Sequence, residues 1–178
     1  MDTIAPNRSL LDRMAGAARL DIEVYEEVEH DPTATSQAAI VVGLVALAAA
    51  IGGAGSGGAA FFGGVVATYA GWLLWSGIIY LIGAHLMGGT ATWGEVLRTV
   101  GFAQSPGVLY VLAILPLIGG VIEAAVFVWL LVAVFIAIRQ ALDVGNGAAA
   151  LTAVLGWIPY LVVQVVVRVF TGVWPNLL

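Results

Sequence analysis

From Ala38 to the C-terminus this chain carries only six formal charges, at Glu95, Arg98, Glu123, Arg139, Asp143 and Arg168. A surface folded in water needs far more polar groups than that. With 61% hydrophobic residues and a mean hydropathy of +1.04, the composition lies outside the range of soluble globular domains. A bilayer is the solvent that such a stretch suits. One crossing takes roughly 20 apolar residues for a hydrocarbon core of about 30 Å, so the region from Ala38 to Val173 has room for five crossings with tight turns. The apolar runs are continuous. A transmembrane barrel would instead alternate polar and apolar residues in segments of about ten. The reading is an all-α polytopic membrane protein with five transmembrane helices and an N-terminal amphipathic cytoplasmic helix. Residues 1–32 form the cytoplasmic segment and residues 33–178 the membrane domain.

Composition also removes several function classes. Cysteine is absent, which excludes disulfides, thiolate metal sites and cysteine nucleophiles. Lysine is absent as well, and the net charge of −5 comes largely from an acidic patch near the N-terminus. Nucleic acid requires a basic stripe, and none is present. The first thirty residues do not read as a signal peptide, because acidic residues interrupt them and no apolar core follows the arginines.

Met1 to Arg8 reads as mobile, and Leu10 to Val28 as one amphipathic helix with Ser9 as its N-cap. Leu11, Ala15, Ala18, Ile22 and Tyr25 follow helical spacing on one face, with Asp12, Arg19, Glu23, Glu26 and His30 on the other. Either an exposed interfacial helix or a partner-docking surface fits that pattern. Asp31-Pro32 then reads as a helix start, with Asp at the cap and Pro at the first helical position.

The first membrane helix is expected over residues 33–51, ending in the run around Gly55, which reads as a turn. The second is expected over 60–87. Gly63, Ala67 and Gly71 recur every four residues in the second, and Ala39, Gly43, Ala46 and Ala50 form a similar stripe on the first. Small residues let helix backbones approach in lipid, where packing has to replace the hydrophobic force between helices. Thr92-Trp93-Gly94-Glu95 matches a capping box, in which hydroxyl and carboxylate satisfy each other's orphan amides. It opens a short interfacial helix to about Ala103, with Trp93 at headgroup depth. Ser105-Pro106 starts a third crossing that runs only to about Ile118 and contains Pro116. That length is nearer a re-entrant or protein-buried segment. Gly119-Gly120 turns the chain into a fourth helix to about Leu142, and Gly145-Asn146-Gly147 separates it from a fifth, over 148–172. Pro159 should kink the fifth helix, and Trp174 marks the far interface.

Arginine placement sets the orientation. With the N-terminus inside, Arg8, Arg13, Arg19, Arg98 and Arg139 face the cytoplasm and only Arg168 lies outside. The C-terminus of a five-pass chain is then external.

Two passages carry a family likeness. One runs from Arg19-Leu20-Asp21 through Glu26-Glu27-Val28-Glu29 and Asp31-Pro32-Thr33-Ala34-Thr35 to Gln37-Ala38. The other is Thr92-Trp93-Gly94-Glu95-Val96-Leu97-Arg98 with Gly101-Phe102-Ala103 and Pro106. On these residues the chain resembles the bacterial branch of the Yip family, the Ypt-interacting-protein-like membrane proteins. The resemblance covers most of the chain and implies a cytosolic N-terminus and five membrane helices. Eukaryotic relatives associate with prenylated small GTPases. That role is not carried over, because the chain lacks their Asp-Leu-x-Gly-Pro motif and most of their N-terminal region.

No nucleophile–base pair is legible, so the expectation is a chain that is not an enzyme and takes no cofactor or metal. Ionisable residues in a membrane cost about 2.5–3.5 kcal/mol each on insertion scales. Glu123 and Arg168 fall near the same face, where a mutual salt bridge, an ion relay or snorkelling to the interface would each account for them. Tyr160, Gln164 and Arg168 form a polar stripe of spacing four on the fifth helix. His85, among small neighbours, reads as an interfacial histidine or as the axial ligand of a haem or chlorophyll. Two functions compete: a scaffold or accessory subunit binding other membrane proteins or a second copy of itself, and a small-solute or ion transporter using Glu123, Arg168 and the Tyr160/Gln164 stripe. The expected partners are membrane lipids and membrane proteins, with no nucleic acid.

Overall fold

A computed structural model describes residues 8–53 and 58–171, and only the backbone of residues 58–62, 160, 163, 164 and 166–171. The expected mobile N-terminus lies almost wholly outside the described residues, as do the turn around Gly55 and the anchor Trp174. In chain order the elements are α1 (Leu10–Ala18), α2 (Ile22–His30), α3 (Ala34–Gly52), α4 (Gly58–Leu86), α5 (Trp93–Ala103), a 3-10 helix (Ser105–Ile114), α6 (Gly119–Ala141) and α7 (Asn146–Thr171). No strand occurs among the described residues.

Among the described residues, four segments are long and apolar enough to cross a membrane: Ala34–Gly52, Gly63–Leu86, Trp93–Ile114 and Gly119–Ala141. Five were expected from the sequence. The expected fifth, α7, is fully described only over 146–159, which is shorter than the roughly 20 residues a crossing takes.

The third crossing corrects the sequence reading most. The Trp93–Ala103 helix does not lie on the protein surface: every residue from Val96 to Ala103 is buried. It packs against α2, α3, α4 and α6 and stands at the centre of the bundle. The 3-10 helix continues it, with Pro106 in the first turn where its missing N–H leaves no bond unmade. Together the two pieces reach about 36 Å, because 3-10 geometry advances about 2.0 Å per residue against 1.5 Å in an α-helix. A stretch that seemed too short thus gains its length from both elements. Gly119 and Gly120 open α6 rather than forming the turn. The turn falls on residues 115–118 instead, with Leu117 at φ +76°.

The N-terminal helix is also revised. It breaks at Arg19 and Leu20 into two antiparallel pieces. Leu20 adopts φ +65°, its N–H donates to Ala17 O, and the N–H of Asp21 donates to Gly16 O, both at 3.0 Å. That pair of bonds is the Schellman closure of a helix C-terminus, built here without the usual glycine. Folding back changes the buried face. Leu11 and Ile22 are exposed, whereas Arg13, Gly16, Ala17, Val24, Tyr25, Val28 and Glu29 are buried. Ala17, Val24, Tyr25 and Val28 share one core with Ala38, Val41, Val96, Val100 and Ala137.

Glycines set the closest approaches. A Cβ at Gly52 would strike the main-chain oxygen of Tyr110, so α3 and the 3-10 helix meet backbone to backbone. At Gly101 it would lie 2.8 Å from Ala38 Cβ and 3.2 Å from Trp72 Nε1. Trp72 in turn donates to Leu97 O at 3.0 Å, fastening α4 to α5.

Candidate functional site

Two regions stand out, one along α4 and one at the polar end of the bundle. On α4, a Cβ added at Gly63 or Gly64 would meet no atom of the described residues within 4 Å, and Ala67 is exposed. Thr68 turns its hydroxyl back onto Gly64 O at 2.9 Å, satisfying itself within the helix. This small-residue face runs into a cavity of about 310 Å³ between α4, α6 and α7. Ala67, Thr68 and Gly71 line it, together with the aromatic side chains of Trp72, Trp75, Phe127, Phe135 and Trp157. Trp75 and Trp157 meet edge-on, with ring centroids 5.1 Å apart, an arrangement favoured by the aromatic quadrupole. Gln104, at the C-cap of α5, adds a polar group.

The stripe on α3 behaves differently. A Cβ at Gly43 would lie 2.5 Å from Tyr69 Oη, and that hydroxyl donates to Ala39 O at 2.9 Å. Ala46 is buried. The α3 stripe is therefore used inside the bundle against α4, while among the described residues nothing covers Gly63.

At the polar end, opposite charges from α1 and α2 meet because the hairpin brings them together. Arg13, its side chain 5% exposed, holds Glu27 at 2.9 Å and Asp31 at 2.8 Å and donates to Gln37 Oε1 at 3.0 Å. Arg8 bridges Glu27 at 2.6 Å and Glu23 at 3.5 Å. The acidic residues that read as a docking face are thus largely engaged, with Glu26 accepting from Gln140 of α6. Hydrogen bonds from Thr33, and then Arg13, hold the Asp31 carboxyl below its ordinary range. Burial pushes the Tyr25 phenol up, and its hydroxyl donates to Ala17 O at 3.1 Å.

Arg98 of α5 reaches across to α2. Its Nε donates to Val28 O at 3.0 Å and Glu29 O at 3.1 Å, and a second guanidinium nitrogen also donates to Glu29 O. A cation at the carbonyl end of a helix is favoured by its dipole and satisfies carbonyls that have no helical donor. Glu29 itself is buried, and burial, together with Glu26, Asp143 and Glu95 nearby, raises its carboxyl to about 7. Sequence reasoning used Arg98 for orientation and both Arg98 and Glu29 for the family likeness, and gave neither a buried role.

The other expected site residues fall as follows. Thr92 and Glu95 form the reciprocal cap of α5, with Thr92 N to Glu95 Oε2 at 2.7 Å and Glu95 N to Thr92 Oγ1 at 3.4 Å. Asp31 does not cap α3 directly. It accepts from Thr33 N at 2.9 Å and Thr33 Oγ1 at 2.6 Å, and the helix begins at Ala34. His85 lies exposed at the end of α4, its ring edge-on to Tyr80. Glu123 is exposed on α6. The side chains of Tyr160, Gln164 and Arg168 are outside the described residues, and so is the expected Glu123–Arg168 pair. The α7 backbone continues helical through Pro159.

Apolar helices of this length, packed around a central α5, define a polytopic helical membrane protein. The family model described as the Yip1 domain matches residues 23–173, and the chain belongs to that family. No curated protein and no solved structure matches it.

Proposed function

We propose that this chain is a non-enzymatic scaffold or accessory subunit that binds other proteins within the bilayer, seating a neighbour's helix against α4. The observation that carries this reading is the open face at Gly63, Gly64 and Ala67, continuous with the cavity beside Gly71. The comparable stripe on α3 is filled by Tyr69, so the two faces are not equivalent. Close approach of small residues is what helix pairs in lipid use in place of hydrophobic driving force. Lipid covers the remaining apolar surface. The arginine distribution supports a bacterial-type five-pass arrangement in a cell membrane, with the N-terminus cytoplasmic and the C-terminus external.

The test is co-purification from mild detergent after in-membrane crosslinking, with Gly63→Leu and Gly71→Leu against wild type. Loss of partners or of self-association, with insertion and Tm preserved, supports the scaffold reading. A partner-free monomer whose stability rises with a small solute moves the assignment to transport. Reporter fusions after Asn146 and at Leu178 check the topology: cytoplasmic and external signals are expected, and both signals on one side refute it.

A further inference from the structure

Glu26, Glu29 and His30 stand at spacings of three and four on α2, which brings them onto one face, and their donor atoms all lie within 4.8 Å of one another. His30 Nδ1 sits 2.9 Å from Glu26 O. A carbonyl only accepts, so Nδ1 carries the proton, and Nε2 of the neutral ring keeps its lone pair. A ligating histidine is commonly oriented in this way, its second nitrogen donating to a main-chain carbonyl.

The independent observation is Glu29. The residue is 4% exposed, and its Oε2 has no hydrogen-bond partner. A buried carboxylate oxygen is costly unless something satisfies it. The cations packed nearby do not. Arg98 donates to the main-chain oxygens of Val28 and Glu29, and Arg139 donates to the side chains of Gln140 and Asn146. Among the described residues, the ion pairs are made by Arg8 and Arg13 alone, and none includes Glu29. Asp143, which accepts from Thr90 Oγ1 at 2.9 Å, and Glu95 add further negative charge from the neighbouring elements.

We propose that Glu26, Glu29 and His30 bind a divalent transition-metal cation of the zinc type. Two carboxylates and one imidazole suit zinc, with water completing a tetrahedron. A nitrogen donor disfavours magnesium, which prefers oxygen ligands and retains water. Glu26 also accepts from Gln140 of α6, so the site lies where the N-terminal hairpin meets the bundle.

The experiment uses the full chain in detergent, stripped with EDTA and titrated with zinc chloride by calorimetry, with thermal unfolding in parallel. The expected result is one saturable site and a raised Tm, with magnesium chloride at the same concentration without effect. Affinity should fall by about tenfold or more in Glu29→Gln and in His30→Ala. It should be unchanged in Glu23→Gln, whose side chain is 83% exposed. His30 is exposed, so His30→Ala decides the matter should Glu29→Gln fail to fold. No saturable uptake by wild type, uptake unchanged in His30→Ala, or uptake lost only in His85→Ala would each overturn the proposal.

Discussion

Truncating Arg13 to alanine tests whether the N-terminal hairpin is held by a buried ion network or merely rests on the bundle. The Arg13 side chain is 5% exposed, and its guanidinium touches Glu27, Asp31 and Gln37, joining α1 to α2 and to the first turn of α3. Breaking a buried pair by removing one partner costs about 3–5 kcal/mol, because the other charge is left behind. Two features pull the figure to the lower end. Glu27 keeps Arg8 at 2.6 Å, and the Asp31 side chain is 25% exposed, so water can reach it. The expected loss is therefore about 3 kcal/mol. Glu23→Gln, at a side chain 83% exposed, should change stability by less than about 0.5 kcal/mol. Denaturant titration of the detergent-solubilised chain, followed by circular dichroism and by hydrogen exchange at α1, measures both. The double variant Arg13→Met with Glu27→Gln should recover part of the loss, since it removes both charges. An Arg13→Ala variant within about 0.5 kcal/mol of wild type, with unchanged exchange at α1, would refute the network.

Gly52→Ala should destabilise by about 1–3 kcal/mol, the usual cost of overpacking, because its methyl would press on Tyr110 O; Gly63→Ala, with open space around it, should leave Tm unchanged. Arg98→Met should cost about 2–3 kcal/mol by leaving the buried carbonyls of Val28 and Glu29 without their charged donor, and should raise hydrogen exchange in α2 first. The Asp31 carboxyl is held below its ordinary 3.8 by Thr33 and then Arg13. Its contribution is complete above 3.8 and is lost as pH falls through the lowered folded value; acid titration of Asp31→Asn should show a shallower loss of stability below that pH.

The membrane helices were legible because their signal is long and additive. A run of twenty apolar residues can hardly be anything else, and Thr92 with Glu95 announces its own capping geometry. The break at Leu20 was not legible. A branched apolar residue at φ +65° carries none of the glycine or asparagine signal that marks such a turn. Its conformation is fixed by tertiary packing of the hairpin. The burial of α5 escaped for a related reason: Glu95 and Arg98 make the segment look interfacial, yet one carboxylate is turned to its own helix cap and the guanidinium to the end of α2. Local patterning cannot show a partner seventy residues away. The cavity wall is assembled mainly from α4, α6 and α7, elements far apart in sequence, so no local pattern announces it.

One contact bears on how the chain comes together. Trp129, near the middle of α6, donates its indole N–H to Ala18 O at the end of α1, across 111 residues of sequence. Gln140, eleven residues further along α6, meets Glu26 of α2. The hairpin of α1 and α2 therefore completes its contacts only once the much later α6 is present. Seating the hairpin on α6 is a late step for the folding chain, because the contacts that do it span more than a hundred residues.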